Sequence, residues 1–407
     1  MATGGRTVFI AGAGIAGLTL ALALAKFGTT VVVLERGKAI QELGAGLQIS
    51  PNARRILNQL GLDKAITARS FEPEGIDVYP FRAAGPLVSL ELGAAARQHF
   101  GVPYAVMHRA DLADALARAC RRFANIDLVF GVQHFDVASH ARGLSILADE
   151  GAGKSRNGRA FAFVGADGIN SPTRTGILDG PAAKPSGMVA WRALVESASL
   201  EGVISLDRTS LLFGPGYHAV CYPLPHRGRV NIVLITSDKA AQGKSDALNR
   251  APNLGASLRS DRRFATLLAS AADNWGVWPL GTVETDTWHE GSVGLIGDAA
   301  HAMLPFQAQG AAMAIEDAAI LAPLLMTEPT AGAAFGRYYN LRRKRVARVA
   351  ALSVSNGRAF HLAWPLSLAR DTILGLQGST GHFRRLDWLY GYDAAPEAEI
   401  GAPTRPS

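Results

Sequence analysis

The sequence predicts an α/β protein: a Rossmann-like parallel sheet with helices on its faces, an inserted domain made mainly of strands, and a helical C-terminal segment. Three stretches carry that prediction. The first is Val8–Glu35, where an apolar strand, a glycine turn, a helix and a second apolar strand follow one another without interruption. The other two are strands ending in Gly165-Ala166-Asp167-Gly168 and in Gly297-Asp298. They put acidic residues at the carboxyl ends of strands, where open α/β sheets bind ligands.

In the first stretch, Val8-Phe9-Ile10 ends in Gly12-Ala13-Gly14-Ile15-Ala16-Gly17. Leu18, Leu22 and Ala25 then recur at helical spacing, Gly28 ends the helix, and Val31-Val32-Val33-Leu34 reads as a buried parallel strand. That context makes the glycine pattern a dinucleotide fingerprint. Gly12 permits the tight turn, Gly14 lets backbone approach a pyrophosphate, and Gly17 lets helix pack closely on strand. Phosphates sit well at the helix N-terminus, where unpaired N–H groups and the dipole favour anions. Glu35, eighteen residues past Gly17, is placed to accept hydrogen bonds from an adenosine ribose. The uncharged run Val8–Ala25 also has the length of a membrane helix or signal segment. Its glycines, and the valine-rich strand that follows at once, argue against that.

The chain has 407 residues, 48% hydrophobic and 18% charged, enough for two or three domains or one large domain with an insertion. Two cysteines, Cys120 and Cys221, make neither a disulfide framework nor a metal-ligand spacing, which points to a reducing cytoplasm and no metal. The net charge of +7 lacks the basic–aromatic interleaving of nucleic-acid binders. A positive field that gathers anionic substrates or cofactors is the better use. No stable membrane insertion is expected, and the chain is read as a monomer or homodimer.

Further along, Leu43–Ile49 is glycine-rich, suggesting backbone packed closely on a partner, and Ser50-Pro51-Asn52 opens a helix that stops at Gly61. Residues 71–102 turn strand-like at Gly75–Tyr79 and Pro86–Leu92. His108-Arg109-Ala110-Asp111-Leu112 opens a helix to about Arg122. A cation gains nothing from the dipole at a helix start, so Arg109 faces a ligand, another domain or solvent. Strands at 126–134 and 143–149, a polar turn at Gly151–Gly158 and a strand at Ala160–Val164 lead to Asp167-Gly168, which alone could be an ordinary turn. Residues 186–284 alternate apolar and polar, with helix only near 243–274. In Gly214-Pro215-Gly216-Tyr217-His218-Ala219-Val220-Cys221-Tyr222, an extended backbone puts His218, Val220 and Tyr222 on one face, as packed sheet members or as a site pair.

After Gly297-Asp298, a loop through Pro305 and Gln309-Gly310 enters a helix over Ala311–Leu325 that carries Glu316-Asp317 and offers a second N-terminal anion site. Residues 335–375 read as helical, with Arg337, Arg342, Arg343, Lys344, Arg345 and Arg348 on a solvated basic face, an oligomer contact or a membrane-facing patch. The tail after Asp393 reads as disordered.

Gly12-x-Gly14-x-x-Gly17 with Glu35, Gly165-Ala166-Asp167-Gly168 and Gly297-Asp298-Ala299-Ala300-His301, in this order, resemble the group A FAD-dependent aromatic hydroxylases. Ser50-Pro51-Asn52, His108-Arg109-x-Asp111-Leu112, Tyr222-Pro223, Ile315-Glu316-Asp317-Ala318 and Asp387-Trp388-Leu389-Tyr390 extend the resemblance over about residues 7–393. The Gly-Pro-Gly and C-terminal segments are most similar to the salicylate, 3-hydroxybenzoate and 6-hydroxynicotinate hydroxylase branch. The resemblance implies a para-hydroxybenzoate hydroxylase-like architecture. Residues 1–70, 103–180 and 285–330 would bind FAD, 71–102 and 181–284 would form the substrate domain, 331–393 a C-terminal helical segment and 394–407 a tail.

It further implies that Gly12, Gly14, Gly17, Glu35 and Arg36 hold the adenosine end of FAD. Arg109 and Asp298 would hold its ribityl and diphosphate region, and Asp167-Gly168 would serve both FAD and the transient nicotinamide cofactor. Gln48 and Gly297 would also bind cofactor, and Ala311-Ala312 would point a helix N-terminus at the flavin pyrimidine. The implied reaction is reduction of FAD by transient NADH or NADPH, O₂ addition to a C4a-hydroperoxide, and transfer of OH to a phenolic ring. Such chemistry needs water excluded and a base tuned near neutrality. His218 and Tyr222 match the branch's His-x-x-x-Tyr, and Gln48, Pro305 and Phe306 complete the implied substrate pocket. Two departures matter. Gln48 stands where the hydroxynicotinate branch has His, and Phe306 stands where several relatives place His, which favours a hydroxybenzoate or other phenolic acid. The rivals are the same chemistry on a quinone precursor or polyketide, a halogenase whose Trp-x-Trp-x-Ile element Trp275–Pro279 does not match, and a FAD-binding scaffold without turnover.

Overall fold

Val8–Glu35 folds as its pattern dictates. The strand Thr7–Ala11, helix α1 (Ile15–Ala25) and the strand Thr30–Glu35 follow in order, the strands pairing in parallel from Thr7 with Thr30 to Ala11 with Leu34. Every α1 residue but Ala16 is buried, which is why the helix is apolar all round rather than on one stripe. The structure, a computed structural model, describes residues 5–40, 46–140, 143–151, 154–237, 260–272 and 274–394. Leu43–Ala45, the first part of the 243–274 segment and residues 395–407 of the tail predicted as disordered lie outside them.

Around those two strands runs a six-stranded sheet in the order 289–290, 293–295, 162–165, 7–11, 30–35, 126–130. It is parallel except for the pair His289–Glu290 with Val293–Leu295. The glycines act through contact. Gly12 has φ +101°, and a Cβ there would lie 2.5 Å from the Ala166 carbonyl oxygen; one on Gly17 would lie 2.0 Å from that of Gly12. Helix α2 (Pro51–Gln59) starts at Ser50 with Pro51 at its first position, and α3 (Arg109–Cys120) follows the strand Ala105–His108.

A second, seven-stranded sheet has the order 276–282, 184–196, 229–237, 217–224, 209–214, 75–79, 88–91. It is antiparallel but for Gly75–Tyr79 against Thr209–Gly214. One face buries Trp191, Ala193, Cys221, Ile232 and Leu234 against Phe264 and Leu267 of the helix Arg262–Ala271. Period-two alternation leaves His218, Val220, Tyr222, Val233 and Ile235 on the other face. The polar turn expected at Gly151–Gly158 is instead largely strand. Lys154–Ala160 completes a three-stranded antiparallel sheet, pairing with Gly143–Gly151. Arg156 anchors it through Glu150 and Asp127, so a polar edge strand reads like a loop.

The C-terminal third holds α4 (Gly310–Thr327), α5 (Ala331–Phe360) and α6 (Leu366–Tyr390). α4 is long and apolar enough to cross a membrane, but 78% of it is buried inside the fold as a core helix. The continuous helix expected over 335–375 is broken at 361–365. The solvated basic face also fails at two positions. Arg342 is fully buried and pairs with Glu316 at 2.6 Å and Asp317 at 2.8 Å, and Arg345 pairs with Glu316 at 2.7 Å. Arg348 lies 3.7 Å over Trp388 and Arg345 3.7 Å over Tyr392. Two carboxylates buried on α4 need cations of matching geometry, and α5 supplies them at i and i+3.

Candidate active site

The carboxyl edge of the parallel sheet and the open face of the seven-stranded sheet look at each other across a cleft of about 430 Å³. One wall is mostly backbone and small residues: Gly14, Ile15 and Ala16 at the start of α1, Ala166 and Gly168 after their strand, Asp298, and Gly310 and Ala311 at the start of α4. Two helix N-termini therefore open into one space, each favouring negative charge. The facing wall is side chain, with Arg192, His218, Val220, Tyr222, Val233 and Ile235; Gln48 and Arg109 line the same cleft.

The backbone wall is pinned from behind. Gly297 has φ +60°, and a Cβ there would meet Cβ of Ala314 at 3.1 Å and of Ala16 at 3.2 Å. The first and third motifs thus touch through small residues. Asp317 accepts a hydrogen bond from the Gly297 amide at 2.9 Å and pairs with His301 at 2.6 Å. Burial alone would raise its pKa, but His301 and Arg342 outweigh that and hold the carboxyl far below the usual range. Ser50-Pro51-Asn52 serves the same frame. Asn52 donates to Glu316 at 2.7 Å and to Gln309 at 3.1 Å, and Gln309 donates to Ser50 at 3.0 Å, fixing the turn that launches α4.

Two carboxylates stand behind this wall. Asp167 accepts from the Thr173 amide at 2.9 Å and hydroxyl at 2.7 Å through one carboxylate oxygen, while the other is buried without a partner. Glu35 accepts from the amides of Ala13 at 2.9 Å and Gly37 at 2.7 Å, shaping the fingerprint turn itself. Across the cleft, Arg192 has a buried Nε without a partner. Burial lowers its pKa, Tyr222 opposes this and Arg109 adds to it.

A second space, about 180 Å³ and largely apolar, lies beyond the side-chain wall. Val78, Leu211, Phe213, Phe306, Phe360, Leu374 and Tyr390 line it, and Arg385 is the one Asp, Glu, Lys or Arg among the described residues that line it. Gln48, His218, Val220, Pro305 and Ala308 line both spaces. His218 is 1% exposed, and burial first, then His361, pushes its pKa well down, so it stands as a neutral imidazole. Tyr222 is held against Gly46, where a Cβ would lie 2.3 Å from the phenol oxygen. Burial raises its pKa, with Arg192 opposing.

With this geometry in place, comparison with known proteins gives a consistent answer. The FAD binding domain family matches residues 6–353. The chain belongs to the FAD-dependent aromatic hydroxylases. 3-Hydroxybenzoate 6-hydroxylase 1 of Aquipseudomonas alcaligenes is 30% identical over 94% of this hydroxylase and 97% of its own length. The 3-amino-4-hydroxybenzoate 2-monooxygenase PtnB3 of Streptomyces platensis is 33% identical over 96% of each. Among solved structures, a salicylate hydroxylase substrate complex matches with TM-score 0.77 at 23% identity over 100% of both chains. Klebsiella pneumoniae HpxO with FAD and uric acid matches with TM-score 0.80 at 23% identity over 98% of this chain and 99% of that one. The hydroxylase is a flavoprotein that uses FAD, and the cleft fits it: two helix N-termini for its anionic parts, with the buried, unpartnered Asp167 oxygen between the cleft-lining Ala166 and Gly168.

Of the residues expected from sequence, Gly14, Gln48, Arg109, Gly168, Asp298, Ala311, His218, Tyr222 and Pro305 line the cleft. Gly12, Gly17, Gly297 and Ala312 sit behind it, Arg36 is exposed on the far side of Glu35, and Phe306 faces only the apolar space. His218 and Tyr222 share a face as expected but stand about 13 Å apart along the strand. Tyr222 lines only the cleft, whereas His218 borders both spaces and has His361 as its polar partner. Sequence reasoning missed Arg192, Tyr104, His361 and Arg385. Only Arg192 left a signal, a charge inside the apolar run Val189–Val195. Tyr104 donates to Gln48 from a strand-flanking position that nothing marks.

Proposed function

We propose that this enzyme hydroxylates the ring of a small phenolic acid of the hydroxybenzoate or salicylate type, with FAD bound and NADH or NADPH as transient reductant. The observation that carries the reading is the apolar space beside the cleft. At about 180 Å³ it is on the scale of a cavity that takes one benzene-sized ring, on the order of 150 Å³. A quinone precursor or polyketide is larger than that. Arg385, the one cation among the described residues that line it, supplies a partner for a carboxylate, and the neutral His218 stands where the two spaces meet.

In this reading residues 1–70, 103–180 and 285–330 form the FAD-binding domain, 71–102 and 181–284 the substrate domain, and 331–393 a helical segment that closes the substrate space. Gly12, Gly14, Gly17, Glu35 and Arg36 hold the adenosine end. Arg109, Asp167, Gly168, Gly297 and Asp298 hold the middle, and the start of α4 at Ala311-Ala312 turns its positive end to the flavin ring. FAD, once reduced, supplies the activated oxygen. The chain does the rest. His218 accepts the phenol proton, because an activated ring must be a phenolate and a neutral buried imidazole is the base at hand. Phe213, Phe306 and Phe360 exclude water, without which reduced cofactor is spent on H₂O₂. Tyr222 and Arg192 form a polar pair on the cleft side that orients cofactor rather than substrate. Buried free thiols at Cys120 and Cys221 accord with a cytoplasmic enzyme.

The test is direct. Purified protein should be yellow with FAD, and hydroxybenzoates should stimulate NADH or NADPH oxidation with formation of a dihydroxy product. FAD-loaded protein that no aromatic acid stimulates would overturn the proposal in favour of a larger substrate or a scaffold.

A further inference from the structure

His218 is not the end of the polar chain on its side of the cleft. Its Nδ1 lies 2.8 Å from Nε2 of His361, a residue 143 positions away in sequence. His361 caps the C-terminus of α5, and its carbonyl accepts from the Gly216 amide at 3.2 Å, in the turn that starts the His218 strand. Backbone and side chain therefore hold the two rings together. Phe306 and Phe360 stand edge-on to the His218 ring, with centroids 5.3 and 5.2 Å away. His218 is 1% exposed, whereas His361 is only half-buried, so the pair runs from the cavity wall outward.

We propose that His361 is the positioning and relay partner of His218: it holds the tautomer that presents His218 Nε2 to the substrate phenol, and it carries the phenol's proton equivalent to solvent. This rests on the reading of the chain as a hydroxylase of phenolic acids. In the resting pair both imidazoles are neutral, and His218 donates Nδ1–H to His361 Nε2. The phenol O–H bond breaks and its proton bonds to His218 Nε2. The Nδ1–H bond of His218 breaks and that proton bonds to His361 Nε2. His361, now cationic, releases the proton of its own Nδ1 to water. No electrons change hands, and a phenolate is left in the cavity.

The physical need for a relay is plain. A proton left on His218 would make an imidazolium beside the phenolate among phenylalanines, a buried ion pair whose desolvation costs several kcal/mol and which collapses back to phenol. Handing the proton on avoids that state. His361, pushed down to about 4 by burial, does not keep the proton either. Among the described residues neither imidazole hydrogen-bonds to a carboxylate. The other charged groups nearby are Arg370 of α6, which donates to the Ala359 and Phe360 carbonyls and pairs with Asp371, Arg385, which lines the same apolar space, and, further along the strand, Arg192 beside Tyr222.

The experiment uses FAD-loaded enzyme under anaerobic conditions, mixed in weak buffer with a nitro-substituted hydroxybenzoate whose phenolate is coloured, plus a pH indicator. Probe ionisation and proton release to bulk water are read separately. Wild type should show both together. His361→Gln should slow release by about tenfold or more, with FAD content and probe affinity unchanged, and added imidazole should restore the rate in His361→Gly. Release from His361→Gln at the wild-type rate overturns the relay alone, as does an imidazole-insensitive His361→Gly that still binds FAD and probe. A wild-type holoenzyme that neither binds nor ionises any hydroxybenzoate overturns the phenolic-acid reading, and the relay with it.

Discussion

The two walls of the cleft are built on different principles. The wall from the parallel sheet is made of backbone amides, glycines and alanines, and a buried ion cluster behind it fixes its shape. The facing wall, from the seven-stranded sheet and the Gly46–Ile49 strand, is made of side chains, each positioned by a partner from another part of the chain: Tyr222 by Gly46, Gln48 by Tyr104, His218 by His361. In the proposed reading the first wall binds the same cofactor whatever the substrate. The second can change its substrate by single substitutions without disturbing the first. Carboxylates divide in the same way. Asp167 and Asp298 stand at strand ends by the cleft, while Glu316 and Asp317 are closed inside the ion cluster and serve only to hold it.

Breaking the cluster should give the largest effect. Arg342→Ala leaves two buried carboxylates short of a cation, and loss of one partner from a buried pair costs about 3–5 kcal/mol. Urea unfolding should show that loss, together with loss of FAD. The cluster also sets an acid limit. Because Asp317 is held below its ordinary pKa of 3.8, its stabilisation is complete above that value and disappears as pH falls beneath it. Asp317→Asn should flatten this acid dependence; an unchanged acid limb would show that other groups set it. Next comes His218→Gln, which leaves the backbone wall alone. FAD should remain bound while hydroxylation falls by about 10²–10⁴-fold and NAD(P)H oxidation runs off to H₂O₂. If instead FAD were lost, the two walls would not be separable. Gly17→Ala reverses the pattern. Its Cβ would lie 2.0 Å from the Gly12 carbonyl oxygen, so overpacking of about 1–3 kcal/mol should fall on FAD retention and melting temperature, not on substrate choice.

The same division explains what the sequence made legible. Glycine turns, strand ends and helix starts are local, and Gly12, Asp167, Asp298 and Ala311 stand out in the sequence because a few neighbouring residues define each of them. Polar partners across the fold are not local. Arg342 and Arg345 look like any basic helix face until Glu316 and Asp317 are known to be buried against them. Lys154–Ala160 looks like a loop because an edge strand has one partner and little apolar content. His361 follows an ordinary helical phenylalanine, and no spacing ties it to His218. The substrate side is thus the less legible side, since its residues come from the strands of one sheet, the small Gly46–Ile49 strand and the last two helices.

Arg385 offers the smallest and sharpest test. If it holds the substrate carboxylate, Arg385→Ala removes a charge-assisted hydrogen bond worth about 1.5–3 kcal/mol, or roughly 10–100-fold in KM. Because the carboxylate is remote from the ring carbon that reacts, that binding is shared by ground and transition states. KM should rise and kcat should hold. Arg385→Lys should recover part of the loss, since an ammonium keeps the charge but not the planar fork. A phenol without a carboxylate should respond to neither substitution. Should kcat fall instead with KM unchanged, Arg385 acts on the chemistry, and the substrate is anchored from the backbone wall after all.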